Sequence, residues 1–315
     1  MIVNHVMSND VQSGIFDSIM GYFKVYSPDV EYVVSIKPIN DADVYHYHRP
    51  HLESSLMPGS TATVHHDLKD TDSWLDPNRF YDRYKECEYV ICLNTGQEKI
   101  LNELGIKNTV VIPHGYRSDL FNLLPKAQHE GRKFRLAVIS KRYGRKVKGE
   151  AYLYEIMKRL DPESIEWLFV GEGRSVEAKR ARDLGFDVKL YERLPYRVFG
   201  SLYESIDALV MCSWHEGGPA NIPEALASGT PVIGFNVGMV KDAVRNGVNG
   251  AILTGNPDVD ERIFISLFKE EKNILKLQSN FFSESYSSPL LTWQQCIHKN
   301  VDVYRQILKS GEGNS

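Results

Sequence analysis

Four cysteines in 315 residues, none of them in a C-x-x-C pair, supply neither a disulfide framework nor a paired-thiol metal or redox site. Three of the group Cys87, Cys92, Cys212 and Cys296 stand in apolar or helical contexts, and the set reads as buried free thiols. No run of roughly 18 consecutive apolar residues occurs, so no segment reads as a membrane span. The start, Met1-Ile2-Val3-Asn4-His5, lacks the basic stretch and apolar run of a secretory signal, and a cytoplasmic, reduced protein is expected. Positive charge is not in excess either. A formal charge of −4 leaves no blanket basic surface, which argues against a nucleic-acid partner. The acidic excess falls before Lys126 and the basic residues concentrate after it, so a basic membrane-docking surface on the first half is not evident. There is no fixed-period repeat and no low-complexity tract, and only Gly311 to Ser315 look disordered.

What the sequence does have is a 42% hydrophobic content distributed in short β-branched runs that alternate with segments of helical period, the pattern of parallel sheets built from βαβ units. One series of strands is expected near Ile2–Met7, Tyr32–Ile36, Val44–His48, Ala62–His66, Tyr89–Leu93 and Val110–Ile112. A second begins afresh near Leu136–Ser140, Trp167–Val170, Val188–Tyr191, Ala208–Cys212, Val232–Phe235 and Ala251–Leu253. Between them Leu123 to Lys133 is polar and carries Pro125 and Gly131, as a linker does. The fold expected is therefore α/β: two Rossmann-like doubly wound domains facing a cleft, with a first domain over residues 1–125 and a second over 133–285. Among the helices, Leu153, Ile156, Met157 and Leu160 repeat at the spacing of one helical face. Ligands of such sheets sit at the carboxyl ends of strands, so chemistry is expected in the strand-to-helix loops.

The segment Trp214 to Ile233 (WHEGGPANIPEALASGTPVI) concentrates the chemistry. Gly217 and Gly218 let backbone N–H groups approach an anion without Cβ hindrance, and the helix that follows, past Pro219 and Ala220, adds positive dipole character at its start. A diphosphate suits that place. Asn221 reads as the N-cap, Pro223 tolerates the first turn, and Gly229 suits the C′ position. Glu224 is expected to point from the first turn at the ligand, where a carboxylate accepts two hydrogen bonds from a ribose diol, and Glu216 to meet a sugar hydroxyl. Taken alone, Asn221 with Glu224 is also a plain capping box, and Glu216 a solvated loop acid. Arg142, Arg145, Lys146 and Lys148 crowd the loop after the first strand of the second series. A solvated basic turn is the plain alternative to an anion site there.

The E-x7-E spacing of Glu216 and Glu224, with EGGP at one end and EALASGTPVI at the other, resembles the donor-site signature of retaining GT-B glycosyltransferases of the family 4 type, glycosyl transferases group 1. The likeness extends over almost all of Arg135 to Gly255. Ile165 to Gly173 resembles the family's strand ending in VGxG, which implies Gly171 at the donor. Leu202–Ser213 is similar to its next helix and strand. Gly238 to Gly250 is similar to its G-x-x-E-x-V-x-x-G-x-x-G, with Asp242 in place of glutamate. Arg142 and Lys148-Gly149 match the family's Arg and Lys-Gly spacing, which implies that both cations neutralise the diphosphate as it leaves.

In the first domain the family's Gly-Gly loop is represented by Ser13-Gly14, with serine replacing one glycine. Asp43 to Pro50 is similar to D-V-x-H-x-H-x-P and Ala62 to His65 to A-T-x-H, which implies that His65 lines the sugar pocket and His48 supports it. Ile112 to Phe121 resembles I-P-N-G-V-D-x-x-x-F, with His114 for asparagine in the sugar and acceptor region. Thr292-Trp293 through Tyr304 to Leu308 resembles a C-terminal helix, about 290–310, that folds back on the first domain. Asp41-Ala42-Asp43 and Asp70-Thr71-Asp72 formally match D-x-D, and His46, His48, His51, His65 and His66 suggest zinc. Neither set has the context or spacing of a metal site, and no metal or cofactor is expected. The resemblance implies a retaining hexosyltransferase using a UDP or GDP sugar in polysaccharide biosynthesis. Its catalytic groups would be Glu216, Arg142, Lys148 and His65, its acceptor a glycan, lipid-linked glycan or small molecule, and its membrane association at most peripheral. The alternatives are a nucleotide-sugar epimerase of the same fold and a silent nucleotide-sugar-binding protein.

Overall fold

The computed structural model describes residues 1–8, 14–123, 131–268, 271–283 and 289–312. Ser13, most of the expected linker and the last three residues lie outside them. The chain forms two compact units. The first comprises Met1–Gly115, Glu216–Gly218 and Leu291–Ser315, and the second Tyr116–His215 and Pro219–Leu290.

The first unit carries strands β1 (Ile2–Val6), β2 (Glu31–Ser35), β3 (Val44–Tyr47), β4 (Ser60–Val64), β5 (Tyr89–Cys92) and β6 (Thr109–Val111), with helices α1 (Gly14–Tyr26), α2 (Pro77–Glu86) and α3 (Thr95–Glu103). They form one parallel sheet in the order β2-β1-β3-β4-β5-β6. The second carries β7 (Phe134–Ile139), β8 (Ile165–Val170), β9 (Asp187–Tyr191), β10 (Ala208–Met211), β11 (Val232–Phe235) and β12 (Gly250–Leu253). Its helices are α4 (Glu150–Met157), α5 (Ser175–Asp183), α6 (Phe199–Glu204), α7 (Asn221–Ala227), α8 (Val240–Ala243), α9 (Pro257–Phe268) and α10 (Glu271–Asn280). Its sheet runs β12-β11-β10-β7-β8-β9. Every strand expected from the sequence is present.

The central strands of each sheet are buried on both faces, which is why they read as continuous apolar runs. Along β7, Leu136 and Val138 join a core with Leu153, Ile156 and Met157 of α4. Ala137 and Ile139 join the opposite core with Ile222 and Leu226 of α7. In the first unit the two faces differ. Val6, Tyr45, Tyr47, Val64 and Cys92 make an apolar core against Phe80 and Tyr84 of α2. The other face mixes Val3 and Val44 with His5 and His46, which the parallel register sets side by side, and Thr61 beside His46. That polar face is covered by α11 (Trp293–Glu312), whose Trp293, Cys296, Ile297, Val301, Tyr304 and Ile307 are buried at helical spacing. Gly311 and Glu312, expected to be disordered, continue α11, because the helical hydrogen-bond pattern needs no further packing to run two residues past its apolar face. Among the described residues no helix is long and apolar enough to cross a membrane.

Candidate functional site

Each sheet changes winding direction about its first strand, β7 lying between β10 and β8 and β1 between β2 and β3. Loops leave such a switch point in opposite directions and open a space at the carboxyl ends, where this architecture binds ligands. In the second unit the two loops concerned are those after β7 and β10, and they hold Arg142, Lys148 and the approach to Glu224.

The loop after β7 is braced from behind. Arg142 Nε donates to Glu177 Oε1 at 3.1 Å, and its two terminal nitrogens have no partner among the described residues. Glu177 is held in turn by Arg174, whose Nη1 lies 3.4 Å from both Glu177 and Glu150. Arg174 also donates to the Ser140 carbonyl and hydroxyl at 2.8 Å. All three of Arg174, Glu150 and Glu177 are at most 2% exposed, so two cations and two carboxylates balance one another in a place where an unpaired charge is costly. The far end of the loop is strapped to β10: Trp214 N–H donates to the Val147 carbonyl at 2.9 Å. Gly149 has a φ of +73°, and a Cβ there would stand 1.8 Å from the Cys212 carbonyl oxygen, so only glycine fits. Lys148 Nζ stands 5.5 Å over the Tyr143 ring.

Asn221, expected as the N-cap, does not cap the helix, and the capping box with Glu224 that was the plain alternative does not form. Asn221 is the first residue of α7, Ala220 holds the cap position with no side-chain bond, and Asn221 Nδ2 donates instead to the Ile139 carbonyl at 2.9 Å, tying α7 to the end of β7. Glu224 accepts from Tyr196 Oη at 2.6 Å and Tyr203 Oη at 3.0 Å. Two tertiary donors displace one local cap. Burial lifts the Glu224 carboxyl to about 7, with the two tyrosine hydroxyls pulling the other way. A carboxylate accepts about four hydrogen bonds, so two positions are left for a ligand. Tyr196→Phe removes a hydrogen bond to the ionised form, and urea denaturation is expected to show a loss of about 1.5 kcal/mol at pH 8 and less at pH 5. Equal losses at both pH values would show that Tyr196 does not act through the carboxylate.

The remaining donor-side candidates are placed as follows. Gly171 follows β8, its N–H donated to the Tyr191 carbonyl at 2.9 Å. The Pro219 carbonyl accepts from Ile222 N–H at 3.2 Å. Glu216, Gly217 and Gly218 group with the first unit, whereas Pro219 and Ala220 group with the second. The Gly217 carbonyl accepts from Asn94 Nδ2 at 2.9 Å, and the Gly218 carbonyl lies 2.8 Å from His114 Nδ1. A Cβ on Gly217 would stand 2.4 Å from the His65 carbonyl oxygen. The N–H groups of Gly217 and Gly218 have no acceptor among the described residues. A Cβ on Gly14 would meet no atom within 4 Å.

In the first unit the switch point brings histidines together. His5 Nδ1 lies 3.0 Å from His48 Nε2, and His48 Nδ1 lies 2.9 Å from His65 Nε2. His46 is bonded at both nitrogens, to Tyr304 Oη at 2.6 Å and Thr63 Oγ1 at 2.7 Å. Burial pushes all four rings, and His114, well below the usual histidine range, so they are neutral. Ring nitrogens of His5, His46 and His48 approach within 4.8 Å of one another, yet the arrangement does not suit a metal. The His46 and His48 rings stack at 4.6 Å and 13°, and those of His5 and His48 at 5.3 Å and 20°. Lone pairs lying in nearly parallel planes do not converge on one ion. In the D-x-D pairs, Asp43 Oδ2 accepts from Ile2 N–H at 2.6 Å, and Asp70 Oδ1 from Asp72 N–H at 3.1 Å.

Residues that support these groups but were not singled out from the sequence include His5, Asn94, Glu150, Arg174, Glu177, Tyr196 and Tyr203. The i, i+3 pairing of Arg174 with Glu177 was a signal; for His5 and for the tyrosines that reach Glu224 there was none.

Two doubly wound parallel sheets with interleaved helices define a GT-B glycosyltransferase fold, and solved structures agree. Sucrose-phosphate synthase from Thermosynechococcus elongatus matches with a TM-score of 0.79 at 13% identity, over 98% of this chain and 100% of that one. Anabaena HepE, solved in complex with UDP-glucose, matches with a TM-score of 0.70 at 15% identity, over 99% and 100%. The sequence model of glycosyl transferases group 1 matches residues 122–281. The chain belongs to that family. It is also 26% identical over 138 residues to D-inositol 3-phosphate glycosyltransferase 1 of Catenulispora acidiphila. That alignment covers 43% of this chain and only 32% of the relative, about a third of its length.

Proposed function

We propose that the protein is a retaining, metal-independent hexosyltransferase, which moves a sugar from a UDP or GDP donor to a glycan, lipid-linked glycan or small-molecule acceptor in polysaccharide biosynthesis. It would act in the cytoplasm, with at most peripheral membrane contact. Residues 133–285 would bind the donor, and residues 1–125 with the C-terminal helix would serve the acceptor. The observation that carries this reading is the pairing, at the β7/β10 switch point, of an arginine whose two terminal nitrogens have no partner among the described residues with a buried carboxylate that has acceptor capacity to spare. An anion for the first and a diol for the second describe a nucleoside diphosphate.

Arg142 and Lys148 neutralise the diphosphate as the bond to the anomeric carbon breaks, which is the part a metal ion plays elsewhere. Gly217 and Gly218 offer N–H groups to it, with Gly14, Ser13, Gly171, Pro219 and Ala220 lining the donor, and Glu224 takes the ribose. Glu216 and His65 orient the transferred sugar, and His48 and His114 serve the sugar and acceptor pocket. The acceptor oxygen attacks the face from which the phosphate departs, and that phosphate oxygen receives the acceptor's proton, so anomeric configuration is kept.

Thermal denaturation with UDP, GDP and ADP tests the donor half. A nucleotide present at about 100 times its Kd adds about 2.7 kcal/mol, a rise of several degrees in Tm. No shift with any nucleoside diphosphate removes the donor site. Product anomer analysis by NMR then decides retention.

A further inference from the structure

The buried polar side-chain atoms without a hydrogen-bond partner are not scattered. Six of the ten such atoms among the described residues belong to four side chains in one part of the first unit: Arg49 Nε, both ring nitrogens of His51, both of His66, and Tyr84 Oη. His66 is 5% exposed and Tyr84 is fully buried. Phe80 of α2 gathers three of the four, its ring lying 4.0 Å from that of His51, 4.2 Å from His66 and 5.9 Å from Tyr84 between centroids. Strand alternation explains the place. Tyr47 and Val64 face α2, and Arg49 and His66 each stand two residues further along, just past the ends of β3 and β4. His46 and His48, one residue out of step, meet α11 and α1 instead. The two groups therefore lie on opposite sides of the sheet.

Arg49 sets the charge. It donates a single hydrogen bond, from Nη1 to the His48 carbonyl at 3.0 Å, and has no ion pair among the described residues. Nε and Nη2 remain, and together they are the side-on edge of the guanidinium, which holds an oxyanion through two parallel bonds. Nε is sealed, whereas Nη2 is not. Burial, then the Arg49 charge, push His66 down to about 3, and burial with Arg79 and Arg49 pushes His51 down to about 4, so both rings are neutral. Asp70 acts on His66 from the other direction, and its Oδ1 accepts from the Asp72 N–H. A neutral ring with neither nitrogen engaged takes either tautomer and offers one N–H, and Tyr84 offers an O–H. Arg49 repels a metal ion or any other cation. A neutral group would leave the guanidinium uncompensated where an unpaired charge is costly.

We propose that Arg49, His51, His66 and Tyr84 form a binding site for an oxyanion, a phosphate or a carboxylate, taken by the side-on edge of Arg49 and surrounded by the N–H and O–H donors of the other three. The site stands on the geometry of the first unit alone. That the anion is carried by the acceptor rests on the transferase function proposed above. A free anion that regulates the enzyme has the same chemistry, and the experiment separates the two sources.

Inorganic phosphate and acetate are titrated while Tm is followed at constant ionic strength, with chloride as the reference ion. At about ten times its Kd, one of them is expected to raise the wild-type Tm by about 3 °C. The rise is expected to vanish in Arg49→Met and to shrink in Tyr84→Phe, which loses one O–H and no bulk. Phosphate held elsewhere, as by the cations after β7, raises every variant alike and cancels in the difference. An equal rise in Arg49→Met and wild type overturns the proposal. Arg49→Met sheds an uncompensated charge, so in chloride it is expected to melt no lower than wild type; melting several degrees lower makes Arg49 a structural cation and also overturns it. If Arg49→Met does not fold, Arg49→Lys, which keeps the charge and loses the edge, takes its place. For the source, sugar phosphates and uronic acids are offered as acceptors beside their uncharged parents. The charged acceptor is expected to be favoured by about 100-fold in kcat/KM in wild type and by less than about 10-fold in Arg49→Met. That result assigns the anion to the acceptor, and a Tm response without a preference assigns it to a free anion. A preference that survives Arg49→Met, or neither response nor preference in wild type, overturns the site. Failure of every donor to turn over sinks the transferase function and leaves the Tm comparison to decide.

Discussion

Lys148→Ala is expected to lower kcat by about 10² to 10³ with Tm almost unchanged, and Arg142→Lys to lower it by about 10². Charge that develops on a leaving diphosphate is stabilised by preoriented cations, and loss of one such group typically costs about 3 to 4 kcal/mol in the transition state. Lys148 gives up a contact over the Tyr143 ring, worth about 0.5–1 kcal/mol at a surface, and Tm measured alongside turnover separates any loss of folding from a loss of catalysis. Arg142 is a different case. Its Nε holds Glu177, which is 1% exposed, and alanine there leaves the Arg174, Glu150 and Glu177 cluster with one carboxylate too many. Breaking a buried pair from one side costs about 3–5 kcal/mol, so Arg142→Ala confounds folding with catalysis. Lysine keeps the charge and loses the fork that grips two phosphate oxygens. If both cations act on one diphosphate, the double variant loses less than the product of the single losses. Steady-state nucleotide release, with Tm measured alongside, reads all of this. Undiminished turnover in Lys148→Ala removes it from the site.

Why the folds of both units were legible and their sites only partly so is a matter of range. Strands buried on both faces are continuous apolar runs, such as Leu136 to Ile139 and Trp167 to Val170, and such runs announce themselves without knowledge of neighbours. Arg142, Lys148 and Glu224 stood out as candidates because each lies within a short motif, one after β7 and one running into α7. What surrounds them did not. The local signal at Asn221 and Glu224 is that of a capping box, and it lost to hydroxyls arriving from Tyr196 and Tyr203, which a short-range pattern does not show. His5 gives no signal at all as a single histidine near the start of the chain. Its place follows from the register that sets β1 beside β3 and leaves His5 within reach of His48, a fact about pairing between strands. Glu216, Gly217 and Gly218 sit inside the E-x7-E string but group with the first unit, where Asn94 and His114 take the carbonyls of the two glycines.

Glu224→Gln is expected to make the protein more stable at pH 8 and a poorer binder of nucleotide. The folded carboxyl titrates at about 7, against an ordinary value of 4.5, because burial disfavours its charge. A folded pKa raised in this way means that the native state holds the proton more tightly than the unfolded chain. The contribution to stability is full below about 4.5 and is lost as pH rises through about 7, an amount on the order of 3 kcal/mol. Glutamine has no charge to desolvate, so the variant gains relative to wild type across that window and keeps the gain above it, less whatever the two tyrosine contacts lose. Urea denaturation at pH 4.5, 6 and 8 measures the divergence. Binding runs the other way. Two hydrogen bonds from a ribose diol to a carboxylate are worth more than to an amide by about 1.5–3 kcal/mol, so UDP affinity is expected to fall about 10- to 100-fold at pH 8. As pH drops below 7, Glu224 takes up its proton and the wild-type advantage shrinks. The phosphate of UDP titrates near 6 as well, but equally for both proteins, so the ratio of their affinities isolates Glu224. A ratio that stays constant from pH 5 to 8 would detach this carboxylate from the nucleotide and leave it as a buried partner of two tyrosines.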